Sequence, residues 1–113
     1  MVMISSVHAV RPYAVSTAYN AAKAGLNHMA RTWAVELAAH GIRVNIIEPG
    51  WIDTAGERTF LSEEEIRKRG KKLLMGRPEE IAKGVLYLVS PEDSSYVTGT
   101  TLRIDGGYVL PPP

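Results

Sequence analysis
The amino-acid sequence predicts an α/β fold: one open parallel sheet of three strands with flanking helices. Two observations carry this. Runs of apolar or β-forming residues stand at Met1–Ser5, Arg43–Ile47 and Thr100–Ile104. The first two are joined by a long segment of helical period, roughly Thr17 to Ala39, and a crossover of that kind pairs its strands in parallel.

Met1–Ser5 is continuously apolar rather than alternating, as a strand covered on both faces should be. Val7 to Ser16 follows as a loop, with Pro12 as its breaker. Ser16 or Thr17 can cap the long helix, and His40-Gly41 ends it, with Gly41 suited to the left-handed position after the last turn. On a helical wheel Tyr19, Leu26, Ala30, Trp33 and Leu37 share one stripe, and Lys23 lies within it. Lysine is almost never fully buried unpaired, so Lys23 either snorkels to water or serves a phenol one turn away.

After the second strand, Glu48-Pro49-Gly50 is a stop, and residues 51–61 have no clear period and read as a loop. Ser62 and Glu65 form a capping box that opens a short polar helix, which Gly70 weakens or ends. Pro78 suits the first position of another helix, Pro78 to Val89, with Ile81, Val85 and Leu88 as its apolar face and Pro91 as its stop. The third strand ends in the turn Asp105-Gly106-Gly107, and Pro111-Pro112-Pro113 should be disordered or extended.

The chain has 113 residues, enough for one small domain, and its net charge of +1 draws neither nucleic acid nor an anionic membrane. It has no cysteine, which excludes disulfides, thiolate metal sites and a cysteine nucleophile. No apolar run could span a bilayer, and Met1-Val2-Met3-Ile4 lacks the pattern of a secretory signal, so the expected location is cytoplasmic. The basic run Arg67–Lys72 is preceded by Glu63, Glu64 and Glu65 and reads as a solvated helix face. His8, His28 and His40 share no metal-ligand spacing. His8 is expected to line a substrate pocket, Trp51 to border it, and Trp33 to lie in the core.

Ligands on parallel sheets bind beyond the carboxyl ends of the strands. That rim should gather Ser6, the Tyr19 end of the helix and the segment Pro49 to Thr54. A free tyrosine titrates at about pH 10. A cation one helical turn away stabilises its phenolate, so that the phenol can exchange a proton with a carbonyl oxygen near neutral pH. Ser6 would hydrogen-bond the same oxygen. None of these groups moves electrons, so redox chemistry needs an organic cofactor.

Ile4-Ser5-Ser6, Tyr19-x-x-x-Lys23, Arg43-Val44-Asn45-x-x-x-Pro49-Gly50-x-x-x-Thr54 and Asp105-Gly106-Gly107, in this order and spacing, resemble the C-terminal part of a short-chain dehydrogenase/reductase. The resemblance implies part of a doubly wound Rossmann-type sheet and hydride transfer between NAD or NADP and a small-molecule carbonyl/alcohol substrate. It implies Tyr19 as acid/base, Lys23 as the residue that tunes it and holds the nicotinamide ribose, and Ser6 as the orienting hydroxyl. Pro49, Gly50, Ile52 and Thr54 match the segment that packs on the nicotinamide and binds its carboxamide and phosphates. Residues 55–76 match the variable loop over the substrate, and residues 108–113 the tail. Sugar dehydrogenases and 3-oxoacyl-carrier-protein reductases are the most similar subgroups. Homo-oligomers through the long helix and last strand are implied too.

The departures are as informative. The family's Gly-x-x-x-Gly-x-Gly turn, which seats a pyrophosphate on a helix N-terminus, is absent, as are the residue that chooses NAD or NADP and the asparagine of the catalytic tetrad. The expectation is a C-terminal portion of one domain that is inactive alone and binds dinucleotide weakly or not at all. A second reading is a non-catalytic piece acting through self-association or pairing with intact relatives.

Overall fold
The computed structural model describes residues 1–70 and 75–111. The three strands are β1 (Val2–Ile4), β2 (Asn45–Pro49) and β3 (Thr101–Ile104). They form one parallel sheet in the order β1-β2-β3, with Val2 opposite Asn45 and Ile46 opposite Thr101. The helices are α1 (Thr17–Glu36), α2 (Ala55–Phe60), α3 (Glu63–Gly70), α4 (Pro78–Val89) and α5 (Pro91–Ser94). Among the described residues no helix is long and apolar enough to cross a membrane.

Strand alternation builds two cores. Val44, just before β2, and Ile46 within it meet Ala30 and Ala34 of α1, with Met3, Trp33 and Leu37 packed around them. Ile47 of β2 and Leu102 and Ile104 of β3 lie instead against Gly84 of α4. Helices thus cover both faces of the sheet, the doubly wound arrangement. Ile46 and Ile47 are completely buried, each worth roughly 1.5–3 kcal/mol against an exposed side chain.

The Arg43-Val44-Asn45 stretch ties the layers together. Arg43 Nη1 donates to the carbonyls of Leu88 and Val97 and to Ser94 Oγ. Asn45 Nδ2 donates to Val97 O at 2.8 Å, and Asn45 Oδ1 accepts from Thr100 N at 3.2 Å. These polar side chains occupy the interior because each is bonded to the segment that leads into β3.

Several boundaries differ from expectation. The long α-helix stops at Glu36, and the chain continues as a 3₁₀ turn, Ala38–His40, closed by Gly41 at φ +67°. Ser16 occupies the N-cap, but its hydroxyl donates to Ala14 O instead of capping. Val7–Ala9 forms a 3₁₀ turn inside the expected loop. β1 is only partly buried, because it pairs on one side alone among the described residues. The expected loop over 51–61 contains α2, capped where Thr54 Oγ1 accepts from Glu57 N. The Ser62–Glu65 box is present, with Ser62 N donating to Glu65 at 3.0 Å and Glu65 N to Ser62 Oγ at 3.2 Å. Lys71 and Lys72 of the basic run, positions 71–74 of the variable loop, and Pro112 and Pro113 lie outside the described residues.

Candidate active site at the carboxyl rim of the sheet
Parallel strands all deliver their carboxyl ends to one rim. There a cleft of about 620 Å³ opens between the ends of β1 and β2 and the first turns of α1. Ser6, His8, Tyr19 and Lys23 line its α1 side. Pro49, Gly50, Trp51, Ile52 and Thr54 line the β2 side. Every candidate residue from the sequence therefore faces one space.

Lys23 does not snorkel away from the fold. Its Nζ donates to Ile4 O at 3.0 Å, at the end of β1, and lies 5.6 Å from the centroid of the Tyr19 ring. The ammonium keeps two further N–H groups for the cleft. Tyr19 is 48% exposed, so the first member of the apolar stripe belongs to the cleft and not to the core. Asn27, Ala30 and Ala34 form the buried line of the helix.

Ser6 is buried at the end of β1 and caps the 3₁₀ turn, its Oγ accepting from His8 N at 3.2 Å. A serine hydroxyl that accepts this bond still has its own proton to donate. His8 stacks on Tyr13 with ring centroids 4.2 Å apart and meets the Tyr19 ring edge-on at 5.1 Å. Tyr13 stacks in turn towards Tyr108, which also lines the cleft. Burial, reinforced by Tyr108, holds the Tyr13 phenol above its ordinary titration range, and its ring backs His8 from behind the cleft.

On the opposite side, Trp51 Nε1 donates to Glu57 Oε2 at 2.9 Å, which pins the indole beside the cleft from α2. Gly50 is the one β2-end position where the backbone approach demands glycine. A Cβ there would lie 2.7 Å from Asp105 Cα. Among the described residues no group of three or more His, Asp and Glu could hold a metal ion.

Several residues of this site escaped the sequence reading. Ile4 contributes only its carbonyl, for which no side-chain signal exists. Asn20, next to Tyr19, orients His8. Glu57 lay in a segment without period, although its place three residues after Thr54 is a capping signal.

The sequence and the fold have known relatives. Residues 1–109 match the family described as enoyl-(acyl carrier protein) reductase. The chain is 46% identical over 112 residues to glucose 1-dehydrogenase 2 of Bacillus subtilis, covering 96% of this chain and 43% of that protein. It is 42% identical over 114 residues to a 3-oxoacyl-[acyl-carrier-protein] reductase of Thermotoga maritima, covering 97% and 45%. The solved structure of 4-hydroxyisoleucine dehydrogenase complexed with NADH matches with a TM-score of 0.86 at 30% identity, over 98% of this chain and 47% of that one. The chain thus spans less than half the length of these relatives. With nearly its whole length matched, and with the same parallel fold, the chain belongs to the short-chain dehydrogenase/reductase family.

Proposed function
We propose that this chain is the C-terminal, substrate-binding portion of an NAD(P)-dependent oxidoreductase acting on a carbonyl/alcohol pair. The observation that carries the reading is the convergence of Ser6, Tyr19 and Lys23 on one cleft at the strand ends. Relatives named as a glucose dehydrogenase and a 3-oxoacyl-carrier-protein reductase support sugars and 3-oxoacyl thioesters as the two substrate classes.

Tyr19 gives its phenolic proton to the substrate oxygen in reduction and takes it back in oxidation. The Lys23 ammonium favours the negative charge that develops on the phenol oxygen, and its bond to Ile4 O fixes it there. Ser6 donates to the same substrate oxygen and holds it in place. The nicotinamide cofactor, when bound, supplies or accepts the hydride.

The residues present fit one end of that cofactor. Two uncommitted N–H groups on Lys23 suit the hydroxyls of a ribose, and Pro49, Gly50 and Ile52 provide a largely apolar floor for a flat ring. Thr54 stands at the mouth as the cap of α2. The sequence has no glycine-rich turn for the pyrophosphate. The isolated chain is therefore expected to be inactive and to bind NADH and NADPH weakly or not at all. Isothermal titration showing micromolar binding to a monomer would overturn that expectation.

The catalytic assignment is tested by fusing the chain behind the dinucleotide-binding half of the Bacillus relative. Tyr19→Phe is expected to lower turnover by about 10²- to 10⁴-fold while leaving cofactor affinity unchanged. Turnover retained in that variant would refute the role given to Tyr19.

A further inference from the structure
His8 enters the cleft with one ring nitrogen committed and the other open. Its Nδ1 lies 2.7 Å from Asn20 Oδ1. Asn20 Nδ2 donates to Tyr13 O at 3.1 Å, which turns the amide oxygen towards the imidazole. An amide oxygen only accepts, so Nδ1 carries the proton, and Nε2 of the neutral ring presents a lone pair. Nε2 has no partner among the described residues. The ring is held between the face of Tyr13 and the edge of Tyr19 and has little freedom to turn. The cleft therefore offers two hydroxyl donors, Ser6 and Tyr19, beside one fixed acceptor.

We propose that His8 determines substrate specificity, its Nε2 accepting a hydrogen bond from a hydroxyl on the carbon next to the reacting carbonyl or carbinol. Resting on the oxidoreductase reading above, this selects vicinal hydroxy-carbonyl and diol substrates, the chemistry of sugars and polyols. A 3-oxoacyl thioester carries no hydroxyl on the carbons that flank its ketone. It would leave Nε2 desolvated and unpaired, a cost that falls on that class alone.

The test uses the chain as it stands, labelled with ¹⁵N, and reads the imidazole nitrogens of His8 by NMR. The probes are 2-hydroxycyclohexanone and cyclohexanone. The Nε2 signal is expected to respond to the hydroxyketone and not to the ketone, whereas Ser6 and Tyr19 respond to both. The hydroxyketone should bind about five- to tenfold more tightly, the worth of one net hydrogen bond. His8→Gln keeps an acceptor and should retain part of that preference. His8→Phe keeps a ring against Tyr13 and should lose it. The unmutated chain decides the matter even if a variant fails to fold. An Nε2 signal unmoved by either probe while Ser6 and Tyr19 respond would sink the role of His8 and leave the oxidoreductase reading intact. An Nε2 response with Ser6 and Tyr19 silent would remove the carbonyl site, and the inference with it. Silence at all three residues would overturn both.

Discussion
Glu48 places a carboxylate at the centre of the sheet, on a side chain only 1% exposed. A charge there survives only when paired and hydrogen-bonded. Arg103 donates to Oε2 through both Nε and Nη2 at 3.0 Å, and Asn27 donates to Oε1 at 2.7 Å. The same geometry leaves Asn27 Oδ1 buried without a hydrogen bond, so the network is tuned to the carboxylate. Arg103→Met should therefore cost about 3–5 kcal/mol, because it strands a buried charge. The double variant Glu48→Met/Arg103→Met should recover most of that loss. Urea unfolding of the three proteins checks both expectations, and equal stability of wild type and Arg103→Met would show that the pair holds nothing. The stripe on α1 could not reveal this network. It ranked Leu26 by hydrophobicity, whereas Asn27, the polar neighbour, is the residue that turns inward to meet Glu48.

At the level of elements, the sequence was most legible where backbone chemistry is local. Pro78, Pro91 and the Ser62–Glu65 box mark their boundaries within a residue or so, because caps and breakers act over one turn, whereas Gly41 closes the 3₁₀ turn that follows α1 and not α1 itself. α2 was not legible. It is too short and polar to show a period, and its cap, Thr54, also stands within the segment that lines the cleft. What holds that segment is a clasp. Asp53 accepts two bonds from Arg58, each 2.7 Å, and Arg58 Nη1 reaches Glu63 at 2.6 Å. The hydrogen bond from Arg58, aided by its charge, holds the Asp53 carboxyl below its ordinary range. A depressed carboxyl contributes its stabilisation above the unfolded value and loses it as pH falls through the folded one. The clasp should thus stay shut from neutral pH down past about pH 4, the ordinary aspartate range, and open only in stronger acid. Fluorescence of Trp51, which α2 holds through Glu57, reports this in a Trp33→Phe background. Arg58→Gln should move the transition up into the ordinary carboxylate range; an unchanged midpoint would show that the clasp does not hold the loop.

Across the whole molecule, β2 is paired on both sides and, among the described residues, the outer strands on one each. Met1 O and Ser5 N bond β2, so by the alternation of a ladder Val2 and Ile4 turn their backbone groups outward. Lys23 already occupies Ile4 O, so the residue given to chemistry also blunts the rim end of this edge. Val2 is left with its N–H and C=O directed away from β2. An apolar edge of this kind is a template for a second strand, and Val35 on the outer face of α1 is 79% exposed. These features favour self-association, one of the two modes of the non-catalytic reading, beside pairing with intact relatives, and one the catalytic reading tolerates. Proline fits an edge strand and removes a donor without touching the β1–β2 ladder. Val2→Pro should therefore weaken self-association about five- to tenfold, one ladder bond's worth, while Ser6, Tyr19 and Lys23 keep their places. Sedimentation velocity over a concentration series separates the possibilities. Equal association in wild type and Val2→Pro would move the contact away from β1 and onto the faces of α1 and β3.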